Sequence, residues 1–165
     1  MWTWLIARCL ERYGRDPRRH RAHRLVVRVR VCAVKYLLDT HIVLWWWVDD
    51  RKLPKEHAKL IERSERSGTS VGLSAISLWE IAKLVERGRF KLARSIDDSL
   101  EQLETSALIT VLPLSGRVAI ESTRLGARFH ADPIDQIIAA TARCHGLTLL
   151  TVDAQIIESG VVAVL

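Results

Sequence analysis

From residue 35 onward, short apolar runs alternate with longer stretches in which apolar residues recur every three or four positions. Tyr36-Leu37-Leu38 is too short for a helix and is bounded by Lys35 and Asp39, so it reads as a buried parallel strand. It feeds a short helix over Ile42 to Val48, which ends in a turn marked by Asp49, Asp50 and Pro54. Lys55 to Ser67 is charged except for Ala58, Leu60 and Ile61, the pattern of a surface helix. Thr69 to Leu73 predicts a second strand, and Ser74 then caps a helix to about Val85 that Gly88 ends. Ile96 to Ala107 is amphipathic at helical spacing. Ile109 to Leu114 is a third strand, followed from Ser115 by a helix to about Leu125. After a loop over Gly126 to Ala131, Pro133 suits the first position of a helix, with Asp132 as N-cap and Gly146 as C-cap beyond His145. Leu147 to Thr151 is a fourth strand leading to Asp153, and Val161 to Leu165 is a candidate last strand. Strand and helix alternate throughout, which predicts a three-layer α/β/α sandwich around a mainly parallel sheet.

Composition agrees with a single domain over 34–165. The chain has 165 residues, 48% of them hydrophobic and 27% charged, enough for a real core. No apolar run approaches the ~18 residues of a membrane span. Cys9, Cys32 and Cys144 are odd in number and scattered, so neither a disulfide framework nor a zinc site is indicated, and a reducing cytoplasm fits. The formal charge of +6 is unevenly placed. Residues 1–34 hold nine arginines against Glu11 and Asp16, whereas residues 35–165 hold 16 basic and 17 acidic side chains. The basic character therefore belongs to the leading segment. Residues 1–33 read as a basic extension, either loosely attached or disordered, or upstream sequence translated from a start codon placed too early. A phosphate-binding arm and an added strand over Leu25 to Val31 are the competing readings.

The acidic residues change the picture more. Asp39 follows the first strand, Glu80 lies on the helix after the second, Asp132 and Asp135 open the helix before the fourth, and Asp153 follows that strand. Ligand sites in open parallel sheets lie beyond the carboxyl ends of the strands, so these acids fall where chemistry is usually done. Each also has an ordinary role. Asp39 and Asp132 suit helix caps, Glu80 suits a solvated helix face, Asp135 at N3 favours the helix dipole, and Asp153 suits a turn. Ile76, Glu80 and Leu84 share one helix face, however, and Asp135 shares a face with Ile138, Ala139 and Ala142, residues suited to close packing. Carboxylates gathered at one point need a cation or raised pKa values. An all-oxygen set favours Mg²⁺, with Mn²⁺ as the alternative, over zinc. Such an ion activates water and offsets the charge that builds during phosphodiester hydrolysis.

The segments YLLDTHIVLWW, LSAISLWEIAKLVERGRF, HADPIDQIIAATARCHGLTLLTVD and SGVVAVL together resemble the PIN domain, and within it the VapC-type ribonuclease toxins of bacterial toxin–antitoxin modules. The resemblance covers residues 34–165 and none of the leader. It implies a Mg²⁺-dependent endoribonuclease that hydrolyses RNA phosphodiester bonds with metal-activated water, leaving a 3′-hydroxyl and a 5′-phosphate. Its catalytic and metal-binding acids fall on Asp39, Glu80, Asp135 and Asp153, with Asp132 as a neighbouring acid and Thr40 as the accompanying hydroxyl. It also implies a cognate antitoxin that inserts a segment into the active-site groove, and a homodimer.

Lys83 and Arg87 beyond Glu80, and Arg124, Arg128 and His130 before the Asp135 helix, are candidate contacts for RNA phosphates. Trp45, Trp46 and Trp47 lie about 100° apart on a helix and cannot all face one core, so at least one is expected at a partner surface. Trp79 is expected in the core. A housekeeping PIN-domain ribonuclease in RNA maturation fits the same acids. Two non-catalytic readings fit less well. An aspartate-phosphorylated signalling domain needs a lysine at a later strand end, and Leu147 to Asp153 offers none. A degenerate binding module is expected to have lost an acid, and none is missing. The sequence does not single out the RNA that is cut.

Overall fold

A computed structural model describes residues 34–165; the expectations for residues 1–33 lie outside the described residues. Four strands form one sheet: β1 (Tyr36–Leu38), β2 (Val71–Ser74), β3 (Ile109–Leu112) and β4 (Thr148–Leu150), in the order β3-β2-β1-β4. All three pairings are parallel. Among the described residues there are seven helices: α1 (Thr40–Trp47), α2 (Lys55–Arg66), α3 (Ala75–Glu86), α4 (Ile96–Thr105), α5 (Gly116–Ser122), α6 (Pro133–His145) and α7 (Ala154–Ser159).

The strands alternate their side chains between two cores, as period two requires. Leu37, Leu112 and Leu149 face one core, with Val118 of α5, Ile138, Ala139 and Ala142 of α6, and Ile156 of α7. Leu38, Val71, Leu73, Ile109 and Leu150 face the other, with Ile42, Val43 and Leu44 of α1, Ile61 of α2, Ile81 of α3 and Leu103 of α4. The predicted three layers are thus present. Small residues let α6 come close to the sheet. Ala139, Ala140 and Ala142 are fully buried. At Gly72 an added Cβ would stand 3.1 Å from Leu37 Cδ1 and 3.3 Å from the Tyr36 carbonyl oxygen, so that face of β2 has little room to spare.

The caps explain where helices begin and end. Asp132 Oδ1 accepts from the N–H groups of Ile134 and Asp135 at 2.8 and 3.4 Å, with Pro133 at the first position, as expected. Gly146 closes α6 at φ 65°, a left-handed conformation that glycine adopts without a Cβ clash. Three expectations differ from what is seen. The helix after Ser115 stops at Ser122 rather than near Leu125. Val161 to Leu165 forms only an isolated bridge, Leu149 with Val164, rather than a full strand. Asp153 does not merely start a turn: its Oδ1 accepts from Gln155 N and Ile156 N at 2.7 and 3.1 Å and opens α7. Among the described residues no helix is long and apolar enough to cross a membrane.

Candidate active site

Register brings the first components of the site together. Leu38 pairs with Leu150 and with Leu73, so the residues that follow, Asp39, Thr151 and Ser74, emerge side by side at the carboxyl edge. The backbone N–H of Asp39 donates to the Leu150 carbonyl at 3.1 Å. Asp39 is 5% exposed, and both its carboxylate oxygens are engaged. Oδ1 accepts from His41 N at 3.3 Å as the N-cap of α1. Oδ2 accepts from the Thr151 hydroxyl at 2.5 Å, within the short range typical of an O–H bonded to a carboxylate. The capping and site readings of Asp39 are therefore not exclusive.

Thr151 had no assigned role from sequence, where it ended a strand. In the fold it links two acids, because the Asp153 N–H donates to its Oγ1 at 3.0 Å while its own proton goes to Asp39. The available signal was a hydroxyl placed after β4 as Asp39 is after β1, which becomes informative only once the β1–β4 pairing is known.

Glu80 reaches the same edge from α3, half-buried. Burial pushes its pKa up from 4.5. The Thr40 hydroxyl and His41 oppose this, while Asp39 and Asp135 raise it further. Asp135, on the first turn of α6, is raised from 3.8, first by burial and then by Asp39 and Asp132, against the favourable bond from His130. That bond joins His130 Nε2 to Asp135 Oδ2 at 2.7 Å; with a carboxylate as partner, Nε2 is the donor. His41 titrates above 6.5, chiefly because of Asp39, with Glu80 and Asp135 adding to it, although burial opposes the shift. Its Nδ1 stands 3.9 Å from Asp39 Oδ1, an ion-pair separation rather than a hydrogen bond. The charges of Asp39 and Asp135 act on Glu80, and that of Asp39 acts on Asp135, so the three carboxylates gather at one edge of the sheet.

Asp132 and Asp153 stand differently. Each uses Oδ1 to cap a helix. Asp132 adds its charge to Asp135, and Asp153 meets the cluster through Thr151. Among the described residues no three His, Cys, Asp or Glu side chains stand as a ready-made set for a metal ion. Thr151 instead holds Asp39, and His130 holds Asp135. The residues nevertheless suit a hard cation. The facing donors are oxygens, and the carboxylates disfavour joint ionisation. Thr40 Oγ1 is buried with no hydrogen-bond partner. It lies near enough to Glu80 to favour the charged carboxylate, but the geometry falls short of a bond, so a buried hydroxyl oxygen is left without a partner beside the acids. Ser77 Oγ, one turn before Glu80, is likewise buried and unpartnered.

The candidate RNA contacts separate. Lys83 Nζ donates to Glu86 at 2.6 Å, His130 is committed to Asp135, and Arg87, Arg124 and Arg128 are exposed. Trp79 corrects an expectation. It is 50% exposed rather than in the core, because the buried Ser77 and Ile81 each lie two positions away, on the opposite side of α3. Trp45, Trp46 and Trp47 also correct an expectation: they are half-buried, and all three pack against the second core.

Comparisons with known proteins converge. The family model described as the PIN domain matches residues 36–160. The ribonuclease VapC22 of Mycobacterium tuberculosis is 32% identical over 120 residues, covering 73% of this chain and 88% of that protein. The crystal structure of FitAcB from Neisseria gonorrhoeae superposes with a TM-score of 0.54 at 27% identity, covering 78% of this chain and 95% of that one. VapBC2 from Rickettsia felis, crystallised with a fragment of its promoter DNA, superposes at 0.59 and 16% identity over 80% and 98% of the two chains, a likeness of fold alone.

Proposed function

This chain belongs to the PIN domain family, and from that premise we propose that it is a Mg²⁺-dependent endoribonuclease, the toxin of a toxin–antitoxin module. The observation that carries the reading is the gathering of Asp39, at the end of β1, with Glu80 and Asp135, whose pKa values are raised by burial and by the Asp39 charge, at the carboxyl edge of the sheet. Like charges held this close favour a divalent cation among them. Mg²⁺ is the ion that suits oxygen donors, with Mn²⁺ as a substitute. Asp39, Glu80 and Asp135 would hold it, with Thr40 as a further oxygen. Asp153 would join through the Thr151 link and Asp132 from the cap of α6. When bound, the cation supplies Lewis-acid activation of water and offsets negative charge in the transition state.

The chain's own residues do the positioning. Thr151 fixes the rotamer of Asp39, His130 fixes that of Asp135, and the cap bonds set the directions from which α1 and α6 arrive. Exposed Arg87 and Arg128 offer charge to RNA phosphates. An antitoxin partner follows from the likeness to the ribonuclease VapC22, and the homodimer remains an expectation of the same resemblance. A housekeeping RNA-maturation nuclease would use the same site, and a cognate antitoxin separates the two readings. Purified protein should cleave single-stranded RNA with Mg²⁺ and stop when EDTA is added. Asp39→Asn and Glu80→Gln should keep the fold, read by circular dichroism, and lose at least about 100-fold in rate. Wild-type rates in both variants would remove these acids from the site.

A further inference from the structure

Beside His130 the surface opens into a cavity of about 430 Å³ whose lining includes Arg128, Phe129, His130, Gln155 and Glu158. Two segments build it, the loop that leads into α6 and helix α7, and both are tied to the acid site. His130 bonds Asp135, and Gln136 Nε2 donates to the His130 carbonyl at 3.0 Å, which fixes the loop. Helix α7 starts at Asp153, whose N–H donates to the same Thr151 hydroxyl that serves Asp39. The cavity and the acid site therefore have His130 in common.

We propose that this cavity is a nucleobase subsite, which takes an unpaired guanine of the substrate RNA beside the phosphate that is cut. The inference rests on the ribonuclease reading and deepens it. The volume lies in the range of small-ligand sites, about 300–1,000 Å³, and so has room for a base with its ribose. Phe129 is buried, and its ring backs that of the half-buried His130 at 4.7 Å and 17°, so His130 is the planar group the lining offers a base, and single-stranded bases are commonly received on aromatic or histidine planes.

The polar edge selects the base. Gln155 and Glu158 are exposed and lie three residues apart on α7, so they present on one face. Glu158 takes part in none of the ion pairs among the described residues, which leaves its carboxylate available. A carboxylate only accepts hydrogen bonds. Guanine offers it two adjacent donors, N1–H and the N2 amino group, and leaves O6 for the Gln155 amide to donate to. Adenine and cytosine put a ring acceptor beside their amino group, and uracil has one N–H between two carbonyls, so each sets a lone pair against a carboxylate oxygen. Arg128 stands at the same cavity to take a flanking phosphate.

The test uses the full chain and fluorescent RNA octamers, all uridine except one central G, A, C or U, with binding read by anisotropy in EDTA. The guanine octamer should bind at least about tenfold more tightly than the other three, the discrimination of one good bidentate contact. Glu158→Gln should bring the four within about threefold of one another, and Gln155→Ala should narrow the gap. Equal affinities in the wild type, no measurable binding of any octamer, or a guanine preference that survives Glu158→Gln overturns the subsite. Cleavage in Mg²⁺ is scored separately on the same octamers. A guanine preference without cleavage would count against the nuclease reading alone, and cleavage without any preference against the subsite alone.

Discussion

The carboxylate of Asp39 caps α1 with one oxygen and takes the Thr151 hydroxyl with the other, so rotating it would break a bond on either side. Partners of this kind around a metal ligand usually matter by 10–100-fold. Thr151→Val keeps the shape and removes the donor. It should raise the Mg²⁺ concentration needed for half-maximal cleavage by about tenfold, measured by titrating the ion. An unchanged Mg²⁺ requirement would reduce Thr151 to a structural residue. Glu80 makes a prediction of opposite sign for stability. Its folded pKa lies above 4.5, so the folded state holds this proton more tightly than the unfolded chain does. That stability is fully present below the unfolded value and is lost as pH rises through the raised one. At pH 7 without metal the charged Glu80 is therefore a net cost. Glu80→Gln should stabilise the protein there by up to about 1 kcal/mol, reduced by the screening of a half-exposed group. The gain should fade near pH 4.5, with urea melts at the two pH values as the check.

At the scale of elements, α3 presents two faces of different character. Glu80 turns inward to the acids and Trp79 outward, 50% exposed, beside a shallow groove formed with Ala82, Val85 and Ile96. Exposed tryptophans at the centre of interfaces often dominate binding. Trp79→Ala should weaken the cognate antitoxin by at least about tenfold in calorimetry, and unchanged affinity would place the interface elsewhere. The Trp79 position also shows what sequence could not supply. The periodic stripe of α3 was legible, and so were the four strands, the α6 caps and the places of Asp39 and Asp153 after β1 and β4, because each depends on near neighbours in the chain. Which way an aromatic beside that stripe turns depends on what packs across from it. Helix α7 is six residues long, too short for a periodicity to register, and its cap was therefore read only as a turn. The Thr151 and His130 bonds depend on strand register and loop placement, which no local pattern encodes.

For the whole molecule, stability and function meet at the edge where the two cores end. The sheet faces are closed by Leu37 and Leu149 on one side and Leu38 and Leu150 on the other, all fully buried, and the next residues along β1 and β4 are Asp39 and Thr151. The carboxylates thus sit on a rigid rim and cannot relax their repulsion by moving far. Under the proposed ribonuclease reading, residues 35–165 supply no attraction for RNA by overall charge, since they hold 16 basic and 17 acidic side chains. On that reading the attraction within the domain is local, with a cation among the acids as its centre. A ligand that binds only the folded form stabilises by RT ln(1 + [L]/Kd), about 2.7 kcal/mol at 100 times Kd. The melting temperature of the wild type should therefore climb with Mg²⁺ by several degrees, beyond the effect of NaCl at matched ionic strength. In Asp39→Asn the climb should flatten, and the starting stability without metal should not fall by the same amount, because a repulsive charge leaves with the ligand. A wild-type curve that NaCl reproduces would show that the rim holds no divalent cation.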